Sequence, residues 1–319
     1  MTPPRPFARL SSAGGAPIAL YAGDAVRLLG DVVPPHGADV VVTSPPYNRG
    51  MPYGAYDDGR PRAEYLAWVR RVADRVRGAL APQGSFFLNV GGAPTDPFLP
   101  WDVARVVADG GLVLQNVIHW IKSIAIDRDA AGRSAGLDRA LALGHYKPVR
   151  GDRFLHGAQE YVFHFTPSGR VPLDRLAIGV PYQDKSNVTR WGSAADRRCR
   201  GNTWFLPYGT IRFAARDRPH PASFPESLPD RCYRLHGLDR IRLAVDPFVG
   251  IGPSAVAAAR LDLPFVGIDV DREYLAVARA AVGRAGARAS PGRHPASRPA
   301  GPASRALSRD GPGRSPREP

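Results

Sequence analysis

Short runs of β-branched and apolar residues, each separated from the next by an amphipathic stretch, restrict the folds open to this chain more than any other feature. Runs of this kind suit strands buried on both faces, and the stretches between them carry apolar residues at helical spacing. The chain is therefore expected to be α/β, a doubly wound, mainly parallel Rossmann-like sheet with helices on both faces. Strands are expected at Ile18 to Tyr21, Ala38 to Thr43, Ser85 to Val90, Val113 to Ile121, Tyr161 to Phe165, Ile241 to Val245 and Phe265 to Ile268. Helices are expected over Ala63 to Leu80, Trp101 to Asp109, Phe224 to Leu235, Ser254 to Arg260 and Arg272 to Val282. Two stretches break the alternation, Asp127 to Gly157 and Pro167 to Asn202, both rich in Arg, Gly and polar residues. Loops that long inside a compact enzyme are usually functional.

In a sheet of this type, ligands sit beyond the carboxyl ends of the strands. The segment Ile241-Arg-Leu-Ala-Val-Asp-Pro-Phe-Val-Gly-Ile-Gly-Pro-Ser254 runs from a strand through a glycine-bearing turn into a helix. That arrangement is expected to turn Asp246, Phe248, Gly250 and Gly252 toward a crevice. A second strand, ending at Asp269, places a carboxylate where ribose hydroxyls can donate to it. The turn lacks the third spaced glycine that would lie under a pyrophosphate, which disfavours a dinucleotide. S-adenosyl-L-methionine is a nucleoside cofactor without phosphates and meets both conditions.

The strand Ala38 to Thr43 ends in Ser44-Pro45-Pro46-Tyr47. Two prolines cannot continue a strand ladder; they fix the backbone and leave a rigid rim of acceptors. The Ser44 hydroxyl and a carbonyl from Pro45 or a neighbour can accept from an amino group, while Tyr47 offers a flat face for a base. The amino nitrogen of cytosine or adenine is a poor nucleophile because its lone pair is delocalised into the ring. Acceptors on its N–H bonds favour the tetrahedral nitrogen of a displacement transition state. Methylation at a ring carbon would need an activated thiolate, and Cys199 and Cys232, the only cysteines, lie in no activating context. Both are expected to be reduced and structural, and no metal site is expected. Trp120 is expected in the core.

The two motifs together resemble the amino-group DNA methyltransferases of bacteria, in the class whose catalytic motif precedes the cofactor motif. The resemblance spans Ile18 to Val282. It rests on Thr43-Ser-Pro-Pro-Tyr-Asn48 for catalysis, Asp246-Pro-Phe-Val-Gly-Ile-Gly252 for the cofactor loop, His220-Pro-Ala-Ser-Phe-Pro-Glu-Ser-Leu228 before that loop, and Tyr21-Ala-Gly-Asp24. The resemblance implies that Asp24, His220, Pro221, Phe224, Asp246, Phe248, Gly250, Gly252 and Asp269 line the cofactor site and Ser44 to Tyr47 the target-base site. It also implies a target-recognition segment at 167–202, with Lys185, Arg190, Trp191, Arg197, Arg198 and Arg200 as DNA contacts. His145, Tyr146, Lys147 and Arg153 of the other long loop are a second source of contacts, or part of a plain structural loop. Serine at the first motif position goes with N4 of cytosine in this family, and aspartate with N6 of adenine. The expected acceptor is cytosine N4 in double-stranded DNA. Adenine N6, an RNA acceptor and a DNA-binding module without catalysis stand as alternatives.

The formal charge of +14, from 43 Lys and Arg against 29 Asp and Glu, suits a polyanionic partner. Part of the excess lies in Gly283 to Pro319, almost wholly Arg, Pro, Ala, Gly and Ser. This composition cannot bury enough apolar surface to offset chain entropy, so a disordered basic tail is expected. Either it touches phosphates non-specifically or it is dispensable. The expected division is an N-terminal extension (1–17), an acceptor half (18–166), the recognition segment (167–202), a cofactor half (203–282) and the tail (283–319). With no apolar run of about eighteen residues and no leader pattern near Met1, no membrane partner is expected and the cytoplasm is the expected location. A cognate restriction endonuclease is a possible partner.

Overall fold

A computed structural model describes residues 4–128, 139–144, 151–190, 195–207 and 223–288. Nine strands of the described residues form one sheet: β1 (Ala8–Ser11), β2 (Pro17–Ala22), β3 (Ala38–Thr43), β4 (Leu80–Val90), β5 (Val113–Ile121), β8 (Gln159–Thr166), β9 (Thr203–Phe205), β10 (Ala244–Asp246) and β11 (Phe265–Asp269). Their order across the sheet is β1-β2-β11-β10-β3-β4-β8-β5-β9. β6 (Ser123–Ile126) and β7 (Leu141–Gly144) pair separately as an antiparallel hairpin. The helices are α1 (Ala25–Val32), α2 (Arg62–Ala79), α3 (Leu99–Asp109), α4 (Ser186–Arg190), α5 (Ser227–His236), α6 (Pro253–Arg260) and α7 (Arg272–Arg288).

Only β1 and β8 run against the remaining strands of the sheet. The parallel centre follows from the sequence: every residue of β3 is buried, as a strand covered by helices on both faces requires. α2 buries Tyr65, Trp68, Val69, Val72, Ala73 and Val76 at helical spacing against one face. α6, α7 and α5 supply Ala255, Val256, Ala278, Val282 and Tyr233 to the core on the other face. Trp120 is fully buried there, its indole donating to the Leu206 carbonyl at 2.8 Å.

From β3 the chain passes through α2 to β4 on one side, and from β10 it passes through α6 to β11 on the other. β3 and β10 are neighbours, so the winding reverses between them and a crevice opens beyond their carboxyl ends. Asp39, 5% exposed, locks this junction by accepting from the backbone N–H groups of Arg242 and Leu243 and pairing with the Arg242 guanidinium at 2.9 Å. Those bonds also explain why the strand expected from Ile241 starts at Ala244.

Several elements differ from the sequence reading. The expected extension contributes β1, which pairs with β2 at the sheet edge. α1 was not anticipated, because only Asp24, whose Oδ1 accepts from Val26 N–H at 2.6 Å, signals its start. The helix expected from Phe224 begins at Ser227. α7 continues past Val282 to Arg288, because alanine and arginine favour helix and Ala285 is buried. The first residues assigned to the tail are therefore helical; residues 289–319 lie outside the described residues.

Candidate active site

A cavity of about 300 Å³ lies at the reversal point. Ser44, Pro45, Pro46 and Tyr47 form one wall, from the end of β3; Phe248 and Gly250 come from the turn after β10, Asp269 and Asp271 from the end of β11, and Asp24 from the end of β2. Phe224 also lines the cavity. Residues expected to serve a cofactor and residues expected to serve a base thus share one crevice. His220 and Pro221 lie outside the described residues.

Asp246 does not face this crevice. It is fully buried beneath the turn, where its Oδ1 accepts from Thr43 Oγ1 at 2.5 Å and Phe248 N–H at 2.9 Å, and its Oδ2 from Ser254 Oγ at 2.5 Å. Burial pushes its carboxyl up to about 6 despite these donors. The hydrogen bond from Thr43 joins the strand ends that carry the two motifs. Gly252 is likewise outside the wall: at φ 89° it packs so closely on α7 that a Cβ would stand 2.8 Å from that of Ala278. Its role is to let the turn and helix meet.

Asp269 is held where the sequence placed it, Oδ2 accepting from Gly250 N–H and Oδ1 from Asp271 N–H, each at 2.8 Å. Burial raises its carboxyl above the usual range. Asp24 and Asp271 cap the helices behind them through backbone N–H groups.

The loop after the Ser-Pro-Pro-Tyr motif was missed as a site element. Asn48, in the left-handed region at φ 56°, donates to the Arg60 carbonyl at 2.7 Å and accepts from Arg60 N–H at 2.8 Å. Asp58, 3% exposed, accepts from the N–H groups of Asn48, Arg49 and Met51. The ties fold the loop over the crevice and bring in Tyr53 and Tyr56. Tyr56 packs on Trp68 at 5.3 Å, and Trp68 on Phe248 at 5.4 Å. The Tyr56 hydroxyl oxygen is buried with no hydrogen-bond partner among the described residues, and burial pushes its phenol up to about 12. The signal in the sequence was the Asn and Asp flanking a tyrosine-rich turn.

Below the motif, the Tyr47 hydroxyl points inward, 2.7 Å from Ser44 Oγ, 3.2 Å from Asn89 Oδ1 and 3.1 Å from Glu160 Oε2. The Pro46 carbonyl accepts from Tyr65 at 2.8 Å. Nothing in the sequence marked Asn89 or Glu160, since each is one polar residue inside an apolar strand.

The segment 167–202 leaves β8 at the end of the sheet opposite the crevice and returns at β9. Within it Lys185 pairs with Asp196 at 2.6 Å, Arg197 and Arg200 donate to backbone carbonyls of Gly179 and Ile178, and Arg190 and Arg198 are exposed. Trp191 lies outside the described residues, as do His145, Tyr146 and Lys147. The β6–β7 hairpin emerges from the carboxyl end of β5, on the crevice side. Arg153, beyond it, lies over the Phe154 ring at 5.2 Å. Cys232 is buried, which raises its thiol, and Cys199 is exposed; both are free. No helix among the described residues is long and apolar enough to cross a membrane.

The family model described as DNA methylase, for N6 and N4 methyltransferases, matches residues 38–280. The chain belongs to this DNA methylase family. It is 28% identical over 264 residues to the type II methyltransferase M.BglII of Bacillus subtilis, covering 81% of this chain and 67% of that protein. With M.ScaI of Streptomyces caespitosus it shares 27% identity over 290 residues, 85% of this chain and 82% of the relative. Among solved structures, the PvuII DNA methyltransferase (cytosine-N4-specific) superposes with a TM-score of 0.60 at 19% identity, over 89% of this chain and 95% of that one. A putative DNA modification methylase of Thermus thermophilus, complexed with S-adenosyl-L-methionine, gives 0.52 at 22% identity, over 83% and 93%. The chain is a DNA methyltransferase of the N4/N6 family and uses S-adenosyl-L-methionine. The crevice fits that cofactor's chemistry: carboxylates of Asp24, Asp269 and Asp271 suit its ammonium and ribose hydroxyls. Aromatic faces of Phe248, Trp68 and Tyr53 suit a sulfonium cation and an adenine.

Proposed function

We propose that this DNA methylase transfers the methyl group to N4 of cytosine in double-stranded DNA. The observation that carries the reading is Ser44, which stands at the head of the motif in the crevice wall with its hydroxyl fixed at 2.7 Å from Tyr47. Tyr65 already donates to the Pro46 carbonyl, and the acceptor pair in this reading is Ser44 Oγ with the Pro45 carbonyl, both in the crevice wall. Accepting from the amino N–H bonds, that pair turns the nitrogen lone pair toward the cofactor and lowers the transition state. S-adenosyl-L-methionine supplies the electrophilic methyl group, and Asp269 and Asp24 are its anchors. The cytosine-N4 specificity named for the PvuII enzyme supports the same acceptor.

The crevice is too narrow for a duplex, so the target cytosine must leave the stack to enter it. Sequence reading falls to the segment 167–202 and to the β6–β7 hairpin at the crevice side. Its relatives are type II methyltransferases, and a cognate restriction endonuclease is the expected companion. The test is transfer of labelled methyl from S-adenosyl-L-methionine to plasmid duplex, to total RNA and to protein in parallel. Label in the duplex alone is expected; label in RNA at an equal or greater rate would contradict the reading.

A further inference from the structure

From Ser44 in the crevice wall a chain of polar groups runs inward beneath the Ser-Pro-Pro-Tyr motif to Asn89 and Glu160, which do not line the crevice. Ser44 Oγ lies 2.7 Å from the Tyr47 hydroxyl, which lies 3.1 Å from Glu160 Oε2 and 3.2 Å from Asn89 Oδ1. Asn89 Nδ2 donates to the same Oε2 at 3.2 Å and to the Tyr161 carbonyl at 3.1 Å. Lys122 Nζ donates to Oε1 at 3.0 Å. Asn89 is 1% and Glu160 9% exposed, so water does not replace these bonds. A Cβ at Gly91 would come within 2.9 Å of the Glu160 side chain, a measure of how closely it is packed.

The donor count fixes the direction of the chain. The carboxylate of Glu160 and the amide oxygen of Asn89 only accept, so the single proton of Tyr47 goes inward to them. The bond between Ser44 and Tyr47 then forms only with Ser44 as donor. The Ser44 proton is thereby held away from the crevice, and its lone pairs face the incoming amino group. From this we infer that Glu160 is a positioning residue that makes Ser44 an acceptor and, through Tyr47, receives the proton the methylated amino group sheds. This rests on the amino-group reading of the site but not on the choice of cytosine. In the proton step the N–H bond of the methylated, cationic nitrogen breaks and that proton goes to Ser44 Oγ. Ser44 passes its own proton to Tyr47, and Tyr47 passes its own to Oε2 of Glu160. The base ends neutral and Glu160 ends as the carboxylic acid.

The test uses the full-length enzyme with Glu160→Gln, Tyr47→Phe, the double variant and Glu160→Asp, with the transfer rate followed over a range of duplex and S-adenosyl-L-methionine concentrations up to saturation. Glu160→Gln and Tyr47→Phe are each expected to lower the transfer rate about 100-fold, in the range of lost proton-transfer catalysis. The KM for either substrate is expected to change less than about threefold. The double variant is expected to be no slower than the slower single, since both interrupt one path, and Glu160→Asp to recover part of the rate. An unchanged rate in either single variant, multiplicative losses in the double, or a loss confined to KM would overturn the proposal. Tyr47→Phe keeps the ring and packing, so it decides the question if Glu160→Gln does not fold. Nucleoside analysis of the wild-type product is read separately: N6-methyladenine would remove the cytosine reading while the rate ratios still decide the role of Glu160.

Discussion

At the scale of single residues, the site is built by carboxylates that first satisfy backbone donors and then face the crevice. Asp269 is the clearest case, since both its oxygens hold neighbouring N–H groups while the side chain lines the cavity. Asp269→Ala is expected to weaken S-adenosyl-L-methionine binding by roughly 1–3 kcal/mol, the loss of a charged acceptor from a ribose diol. Calorimetry on the folded variant checks this, and an unchanged affinity would remove Asp269 from the cofactor site. This residue was legible in the sequence because a strand end is a fixed place in a doubly wound sheet. Asp246 was misjudged for the same reason. Adjacent in sequence to the crevice turn, it is drawn under it by Thr43 and Ser254, partners from elsewhere that spacing along the chain does not reveal. Glu160 and Asn89 were invisible because isolated polar residues in a buried strand carry no periodic signal; their meaning comes only from β4 lying beside β8.

At the scale of elements, the strands and long helices were legible because burial on one or both faces imposes a period. Their junctions were less so, because caps and edge pairings depend on a few contacts. β1, α1, β7 and β9 are short, and each is specified mainly by the neighbour it packs against. α7 gives a test of one such junction. Ending the chain after Val282 removes the last turns of the helix and the buried Ala285, whereas ending it after Arg288 keeps them. The shorter protein is expected to melt several degrees lower and the longer one to melt as the full chain does, with its site specificity for methylation intact. Equal melting temperatures for the two truncations, by calorimetry, would mean that the end of α7 contributes nothing to the fold.

At the scale of the whole molecule, buried titratable groups tie the two faces of the sheet to pH. Ser85 Oγ lies 3.0 Å from His164 Nε2 and 2.9 Å from His236 Nδ1, joining β4, β8 and α5. Burial lowers His164 to about 3 and His236 to about 4. Below their ordinary value the unfolded chain takes up protons that the fold refuses, so the stability they contribute is lost as pH falls toward 4. Asp246, pushed up to about 6, acts with the opposite sign: its contribution favours the fold on the acid side and is lost as pH rises through 6. The two imidazoles are opposed by Asp246 and, less strongly, by Asp269, whose carboxyl burial also raises, which leaves a net loss below about 1 kcal/mol per pH unit between pH 6 and 4. Urea denaturation across that range checks it; His236→Gln should flatten the slope, and stability rising toward pH 4 would contradict the assignment. What the crevice does to DNA is read most directly by mass spectrometry of nucleosides from duplex DNA methylated in vitro by the purified enzyme. N4-methylcytosine as the product is the expected result, and N6-methyladenine as the only methylated base would contradict it.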